Sequence, residues 1–319
     1  MNCCATQFFK KVTLKSAILL AFSIFVIAHF SSCFSSTTSP IIAQFFGIWL
    51  DSGQTWQQKF RSDTPFTKLN RLYIAFGKIV QTSDGHFTLA FDGSSDYVAQ
   101  LIQRMRTVNP HAQLLLTVGG NGTVSSYGGA ANDPQFASNV LNFLNTYGFN
   151  GFDVDWEGSL DQQGLDHLMQ NLYQTLHANH DVLTLDVWPL WSSVYDINVL
   201  KNNLDQINIM SYGANLPLDV CANSFAKAGF PMDKMVGGIE TEAGYNGGNE
   251  DTLGENGTIV QKSSYALSHG MAGMMEWRLD ADYPGSLDPN YPTYKGALQL
   301  WSSMTTPGAG VVAVGHDGR

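Results

Sequence analysis

Residues 150–157 read Asn-Gly-Phe-Asp-Val-Asp-Trp-Glu, with acidic and apolar side chains alternating at a period of two. Such alternation predicts a β-strand, in which every second side chain shares a face. Asp153, Asp155 and Glu157 then line one face, and Phe152, Val154 and Trp156 the other. A strand on an open surface has no use for bulky apolar groups behind its acids. A strand of a (β/α)8 barrel does: its outer face packs on helices, and its inner face opens at the carboxyl end, where such barrels place their chemistry. Three carboxyls this close cannot all ionise freely, so at least one keeps its proton toward neutral pH. A protonated acid beside carboxylates is what cleavage of a glycosidic bond requires. An acidic cluster of this kind also suits a divalent cation.

The elements that must position these acids alternate along the chain. Strands are predicted over 41–50, 71–77, 114–120, 150–157, 182–188, 206–212, 234–242 and 271–277. Between them lie helical patterns. One runs over 97–108, with Val98, Leu101, Ile102 and Met105 on one side and Pro110 ending it. Another opens at Asp133-Pro134, carries Phe136, Val140, Phe143, Leu144 and Tyr147, and stops at Gly148. Leu165, Leu168, Leu172 and Leu176 mark a third over 164–178, and further helices are expected over 194–204, 221–228, 258–269 and 293–304. Eight strands alternating with helices imply a parallel sheet closed as a (β/α)8 barrel. An open doubly wound sheet is the competing architecture, but no Gly-rich phosphate fingerprint follows the first strand. Gly119-Gly120 after the third strand lets backbone approach the barrel mouth closely. Tyr212, Trp277 and Trp188 end strands six, eight and five, so they converge on the same mouth. Trp188 and the nearby Trp191 suit either sugar stacking or core packing. Asp280, Asp282, Glu240 and Glu242 belong near the same rim, as binders of sugar hydroxyls or as solvated surface.

The octet resembles the DxxDxDxE signature of family 18 glycoside hydrolases, the chitinase family, with Asn150 at the first Asp. Thr117-Val118-Gly119-Gly120 resembles the family's SxGG motif, with Thr117 at the Ser position. Met210-Ser211-Tyr212 resembles MxY(D/N), with Gly213 where Asp or Asn is common. Trp277 is similar to the strand-eight Trp that floors the subsite of the cleaved sugar. The resemblance spans nearly the whole barrel region and implies retaining hydrolysis in which the substrate supplies the nucleophile. It makes Glu157 the proton donor to the glycosidic oxygen. The 2-acetamido carbonyl attacks the anomeric carbon, Asp155 orients the acetamido N–H, Asp153 shares a proton with Asp155, and Tyr212 hydrogen-bonds the acetamido oxygen. Trp277, Met210, Gly120 and Trp188 become substrate-binding positions. The hydrogen bond of the usual residue at 213 is then missing or supplied otherwise, with Asn215 one candidate. The substrate class is chitin or other N-acetylglucosamine-containing glycans. Only a short Gly/Asn-rich loop, 243–257, follows strand seven, so no inserted α+β subdomain is expected and the cleft should be open and endo-acting.

The chain has 319 residues, 44% hydrophobic and 14% charged, enough for one large barrel domain, expected over 41–304. A net charge of −10 argues against nucleic acid or an anionic membrane as partner. Lys10, Lys11 and Lys15 precede an apolar run from Ala17 to Phe30, which predicts a signal peptide over 1–32, with an uncleaved anchor as the alternative. Residues 33–40 read as a linker and 305–319 as a flexible tail. Phe30-Ser31-Ser32-Cys33 resembles a lipobox, so secretion or lipid anchoring through Cys33 is expected. Two cysteines surviving cleavage, Cys33 and Cys221, do not dictate a disulfide. The eight histidines show no metal-ligand spacing, and no cofactor or metal is expected. A monomer is expected. The competing functions are an endo-β-N-acetylglucosaminidase acting on N-glycans, a sugar-binding protein without catalysis on the same barrel, and a metal-dependent barrel hydrolase.

Overall fold

The structure, a computed structural model, describes residues 39–120, 126–245, 247–285 and 290–306. The expected signal segment, Cys33 and most of the expected linker and tail lie outside the described residues.

Strand β1 (Ile41–Gly47) pairs in parallel with β2 (Arg71–Gln81) on one side and β9 (Gly273–Trp277) on the other. Between them the ring continues from β2 through β4 (Gln113–Gly119), β5 (Gly151–Asp155), β6 (Val182–Val187), β7 (Gln206–Ile209) and β8 (Met235–Glu240) to β9, all parallel. Eight parallel strands therefore close into a (β/α)8 barrel. The ninth strand, β3 (Phe87–Phe91), lies outside the ring, antiparallel to the last residues of β2. It was not foreseen: β2 was expected to end at Gly77, but it runs on to Gln81 past a register shift between Ala75 and Gly77 and forms a hairpin.

Nine helices among the described residues cover the barrel: α1 (Trp56–Lys59), α2 (Ser95–Val108), α3 (Tyr127–Ala131), α4 (Phe136–Tyr147), α5 (Gln162–His177), α6 (Ile197–Leu200), α7 (Leu218–Lys227), α8 (Thr258–Ser268) and α9 (Lys295–Thr305). The expected helix over 194–204 shortens to a 3-10 turn and α6, because Asp196 caps the amides of Asn198 and Val199 and starts the helix late. Helix α4 begins later than Asp133-Pro134 suggested. Asp133 accepts from Gln135 N, but its other oxygen takes Phe87 N, so the residue ties β3 to the helix entrance.

Alternation sorts the barrel into two cores. Phe152, Val154, Leu183, Leu185, Ile207 and Ile239 face outward and pack with Leu165, Leu168, Leu172 and Leu176 of α5 and with the other helices. Phe45, Tyr73, Leu115, Val236, Met275 and Trp277 fill the interior. Each buried side chain of this size contributes about 1.5–3 kcal/mol, so the register that separates the faces is strongly specified. The bottom of the barrel is closed by Arg71, whose guanidinium donates to Gln113 Oε1 (2.8 Å), Gln206 Oε1 (3.0 Å) and Tyr73 Oη (3.2 Å). Asn150, where the signature carries Asp, spends its side chain at this end, taking Leu114 N at 3.0 Å and Arg106 Nη2 at 2.8 Å.

Candidate active site

Asp153 is 0% exposed and Asp155 4%, on the face of β5 opposite Phe152 and Val154. Trp156 continues the outer face and stacks on Tyr127 at 4.6 Å, which leaves Glu157 half-buried just beyond the strand, on the side of the acids. The neighbouring strand end is brought in by two glycines. Gly119 has φ +124, and a Cβ there would lie 1.9 Å from Asp155 O; Gly120 N then donates to that carbonyl at 3.0 Å. Gly120 itself, φ +83, lies against the Phe76 ring.

Asp153 is the hub of a buried hydrogen-bond network. Thr117 Oγ1 donates to Oδ2 at 2.9 Å, Thr184 Oγ1 donates to Oδ1, and Asn208 Nδ2 reaches Oδ1 at 3.2 Å. Tyr73 Oη in turn donates to Asn208 Oδ1 at 3.2 Å. Burial pushes Asp153 up to about 6, against the pull of these donors. Asp155 is pushed well above the usual carboxyl range by burial, then by the charges of Glu157 and Asp153. Burial also raises Glu157. A fourth acid joins them: Asp186 of β6, 4% exposed, is pushed well above the usual carboxyl range by burial and by the charges of Asp153 and Asp155. No role was foreseen for Asp186. Its signal is the alternation of Thr184, Asp186 and Trp188 against Leu183, Leu185 and Val187.

A pocket of about 380 Å³ opens beside these acids, lined by Glu157, Trp188, Met210, Tyr212, Asn215 and Tyr245 among others. Four positions named from the sequence, Glu157, Tyr212, Met210 and Trp188, thus share one space. The Tyr212 hydroxyl lies 3.6 Å from Met275 Sδ, and burial raises its pKa well above the phenol range, so it stays a proton-bearing donor. Trp277, 9% exposed, stands behind Tyr245 with ring centroids 5.9 Å apart. Trp277, Trp49 and Phe76 form an aromatic cluster, with centroids at 5.6–6.3 Å. Trp49, Phe76 and Tyr245 were not foreseen, because no local pattern relates them. Trp191 is 59% exposed and tilts toward Trp188 at 5.9 Å, which sets aside core packing for Trp191.

Of the rim acids, Glu240, Asp280 and Asp282 are fully buried and Glu242 is partly exposed. Asp280, 0% exposed, is held by Lys59, Arg278 and Gly47 N; Asp282, also 0% exposed, accepts Gly296 N and Ala297 N at the start of α9. Glu242 takes Trp277 Nε1 at 3.1 Å and Arg278 Nε at 2.9 Å. Both oxygens of Glu240 are buried and lack a hydrogen-bond partner among the described residues. Gly213 N donates to Asp251 Oδ2 at 3.0 Å, and Asn215 lines the pocket. Cys221 is buried as a free thiol, its pKa pushed up to about 11 by burial.

Comparison with known proteins places this geometry. The family described as Glycosyl hydrolases family 18 matches residues 42–250. Chitotriosidase-1 of Mus musculus is 25% identical over 205 residues, 50% of this chain and 44% of that protein. The chain therefore spans less than half the length of that relative. Among solved structures, a class V chitinase of Nicotiana tobaccum in complex with NAG4 superposes with a TM-score of 0.65 at 17% identity, covering 84% of this chain and 99% of the other. The chitinase-like agglutinin of Robinia pseudoacacia superposes with a TM-score of 0.63 at 16% identity, covering 82% and 99%. With the family match extending over most of the barrel and the acids of β5 at its mouth, the chain belongs to glycosyl hydrolase family 18.

Proposed function

We propose that this protein is a chitinase, hydrolysing β-1,4 bonds between N-acetylglucosamine units with retention of configuration, the substrate's acetamido group serving as nucleophile. The observation that carries this reading is Asp155: a buried acid of raised proton affinity whose Oδ1 has no hydrogen-bond partner among the described residues. Such an oxygen at the mouth suits an acetamido N–H. Glu157, raised by burial, protonates the glycosidic oxygen as the bond to the anomeric carbon breaks. The acetamido carbonyl oxygen closes on that carbon, giving an oxazolinium ion. The positive charge favours Asp155 as carboxylate, and its proton has a destination in Asp153, whose affinity of about 6 and ties to Thr117, Thr184 and Asn208 suit the exchange. Tyr212 supports the acetamido oxygen, and Glu157 then takes a proton from the water that opens the ring. The short loop after β8 leaves the cleft open, which favours endo cleavage. The basic and apolar N-terminal segment supports export.

The same barrel carries an agglutinin, so fold alone does not decide for catalysis. Product analysis on N-acetylglucosamine oligomers and on a high-mannose glycopeptide decides it. Wild type should cleave the oligomers, and Glu157→Gln should be slower by about 10²–10⁴-fold. Cleavage of the glycopeptide alone would point to the N-glycan substrate, and oligomer binding without turnover in wild type would leave a lectin.

A further inference from the structure

We infer that Asp251 and Lys262 are the positioning residues of Tyr212, supplying from the loop after β8 and from α8 the hold that a glycine at 213 cannot. The inference rests on the reaction proposed above, in which Tyr212 meets the acetamido group. The regular ladder of β7 ends at Ile209, and the chain leaves it through two tight turns, Ser211 N to Ile209 O at 2.7 Å and Tyr212 N to Met210 O at 2.8 Å. Gly213 then adopts φ +90, a conformation that side-chain-bearing residues rarely take. The backbone on either side of Tyr212 has thus left the sheet in a buried setting, where each amide and carbonyl needs a partner.

The partners come from one ion pair. Lys262, 3% exposed, donates from Nζ to Ser211 O and, at 3.0 Å, to Gly213 O, the carbonyls before and after the tyrosine. Asp251, 0% exposed, accepts Gly213 N at 3.0 Å and lies 2.7 Å from Lys262 Nζ. The same carboxylate is fixed to the barrel through Glu240 N at 2.9 Å and to the start of α8 through Thr258 Oγ1 at 2.7 Å. Ser211 adds a link of its own, donating to Gly238 O at 2.9 Å and accepting Gly238 N at 3.0 Å. Tyr212 is therefore gripped on both flanks by groups tied to β8 and α8. Its ring projects into the pocket it shares with Glu157.

A double-mutant cycle separates positioning from mere stabilisation. Asp251→Asn is made in wild type and in Tyr212→Phe, with kcat and KM measured on a tetramer of N-acetylglucosamine and folding checked by thermal melting. In wild type, kcat should fall about 10- to 100-fold, the scale of a small misplacement of a reacting group, with KM changed far less. In Tyr212→Phe the same change should cost less than about twofold, because the hydroxyl being positioned is already gone. Equal losses in both backgrounds, or no loss in wild type, would overturn the inference. Thr258→Val, which keeps both charges and removes one hydrogen bond to Asp251, is the milder variant should Asp251→Asn not fold. Its smaller loss should likewise depend on the Tyr212 hydroxyl, and independence overturns the inference equally. A wild type that turns over no N-acetylated oligomer overturns the proposed reaction, and this inference with it; the wild-type assay distinguishes that failure from the others.

Discussion

Asp155 is the side chain in which chemistry and stability oppose each other. Burial and two neighbouring acids make its ionised form unfavourable, and one of its oxygens lacks a partner among the described residues. Asp155→Asn removes the ionisable group while keeping the shape. At pH 8 the variant should melt at a temperature no lower than wild type, while kcat on N-acetylglucosamine oligomers falls by about 10²-fold or more. Retained activity, or a melting temperature lower by several degrees, would contradict the role assigned to it. At this scale the chain was legible where chemistry repeats locally: three acids at alternate positions announce their shared face. Asp186 lay in an equally regular alternation, but as a lone acid on its strand it carried no chemical signature. Asp251 was not legible as a partner of Gly213, because a contact across 38 residues leaves no local pattern.

Among elements, the ends of β1, β8 and β9 meet in a charged network beneath the aromatic floor. Arg278, 1% exposed, follows β9 and donates to Glu242 at 2.9 Å and to Asp51 at 2.9 Å, and it binds Asp280 as well. Lys59 of α1 shares Asp280, and Gly47 N of β1 donates to the same carboxylate at 2.8 Å. Glu242 and Asp51 in turn accept the indole N–H groups of Trp277 and Trp49, both at 3.1 Å. Removing Arg278 leaves Asp280, a carboxylate fully out of water, with Lys59 as its one remaining cation, so Arg278→Met should cost about 3–5 kcal/mol in denaturant unfolding. A loss below about 1 kcal/mol would mean that the network is no more than a surface arrangement. The alternation of strands and helices was readable because each element repeats its own period over many residues. The hairpin of β2 and β3 was missed although Phe87, Leu89 and Phe91 alternate with Thr88 and Ala90, because a run of five residues is short and pairs outside the ring of parallel strands. Helix α6 shortened for a local reason, the cap at Asp196.

The whole molecule stores many acids of raised proton affinity. Burial is the first cause in each case: it pushes Asp153 and Asp282 up to about 6 and Glu240 to about 8. Unfolded carboxyls release their protons near pH 4, so these groups bind protons more tightly when folded. The stability they contribute is present below that pH and is lost as pH rises through about 6, and through about 8 for Glu240. Acids held low, such as Asp63 beside Arg61, have the opposite sign, but they are ionised in both states above pH 5. The melting temperature should therefore fall between pH 5 and pH 8, each net proton released costing about 1.4 kcal/mol per pH unit. A rise across that interval would contradict the burial of the cluster.

The most direct test of the central claim is the anomeric configuration of the first sugar released from N-acetylglucosamine oligomers, followed by proton NMR before mutarotation. With Glu157 as acid and the substrate's acetamido oxygen as nucleophile, two inversions at the anomeric carbon cancel, and the β-anomer should appear first. Early accumulation of the α-anomer would mean that water attacks directly, and the assignment of Asp155 and Tyr212 to an acetamido nucleophile would be wrong.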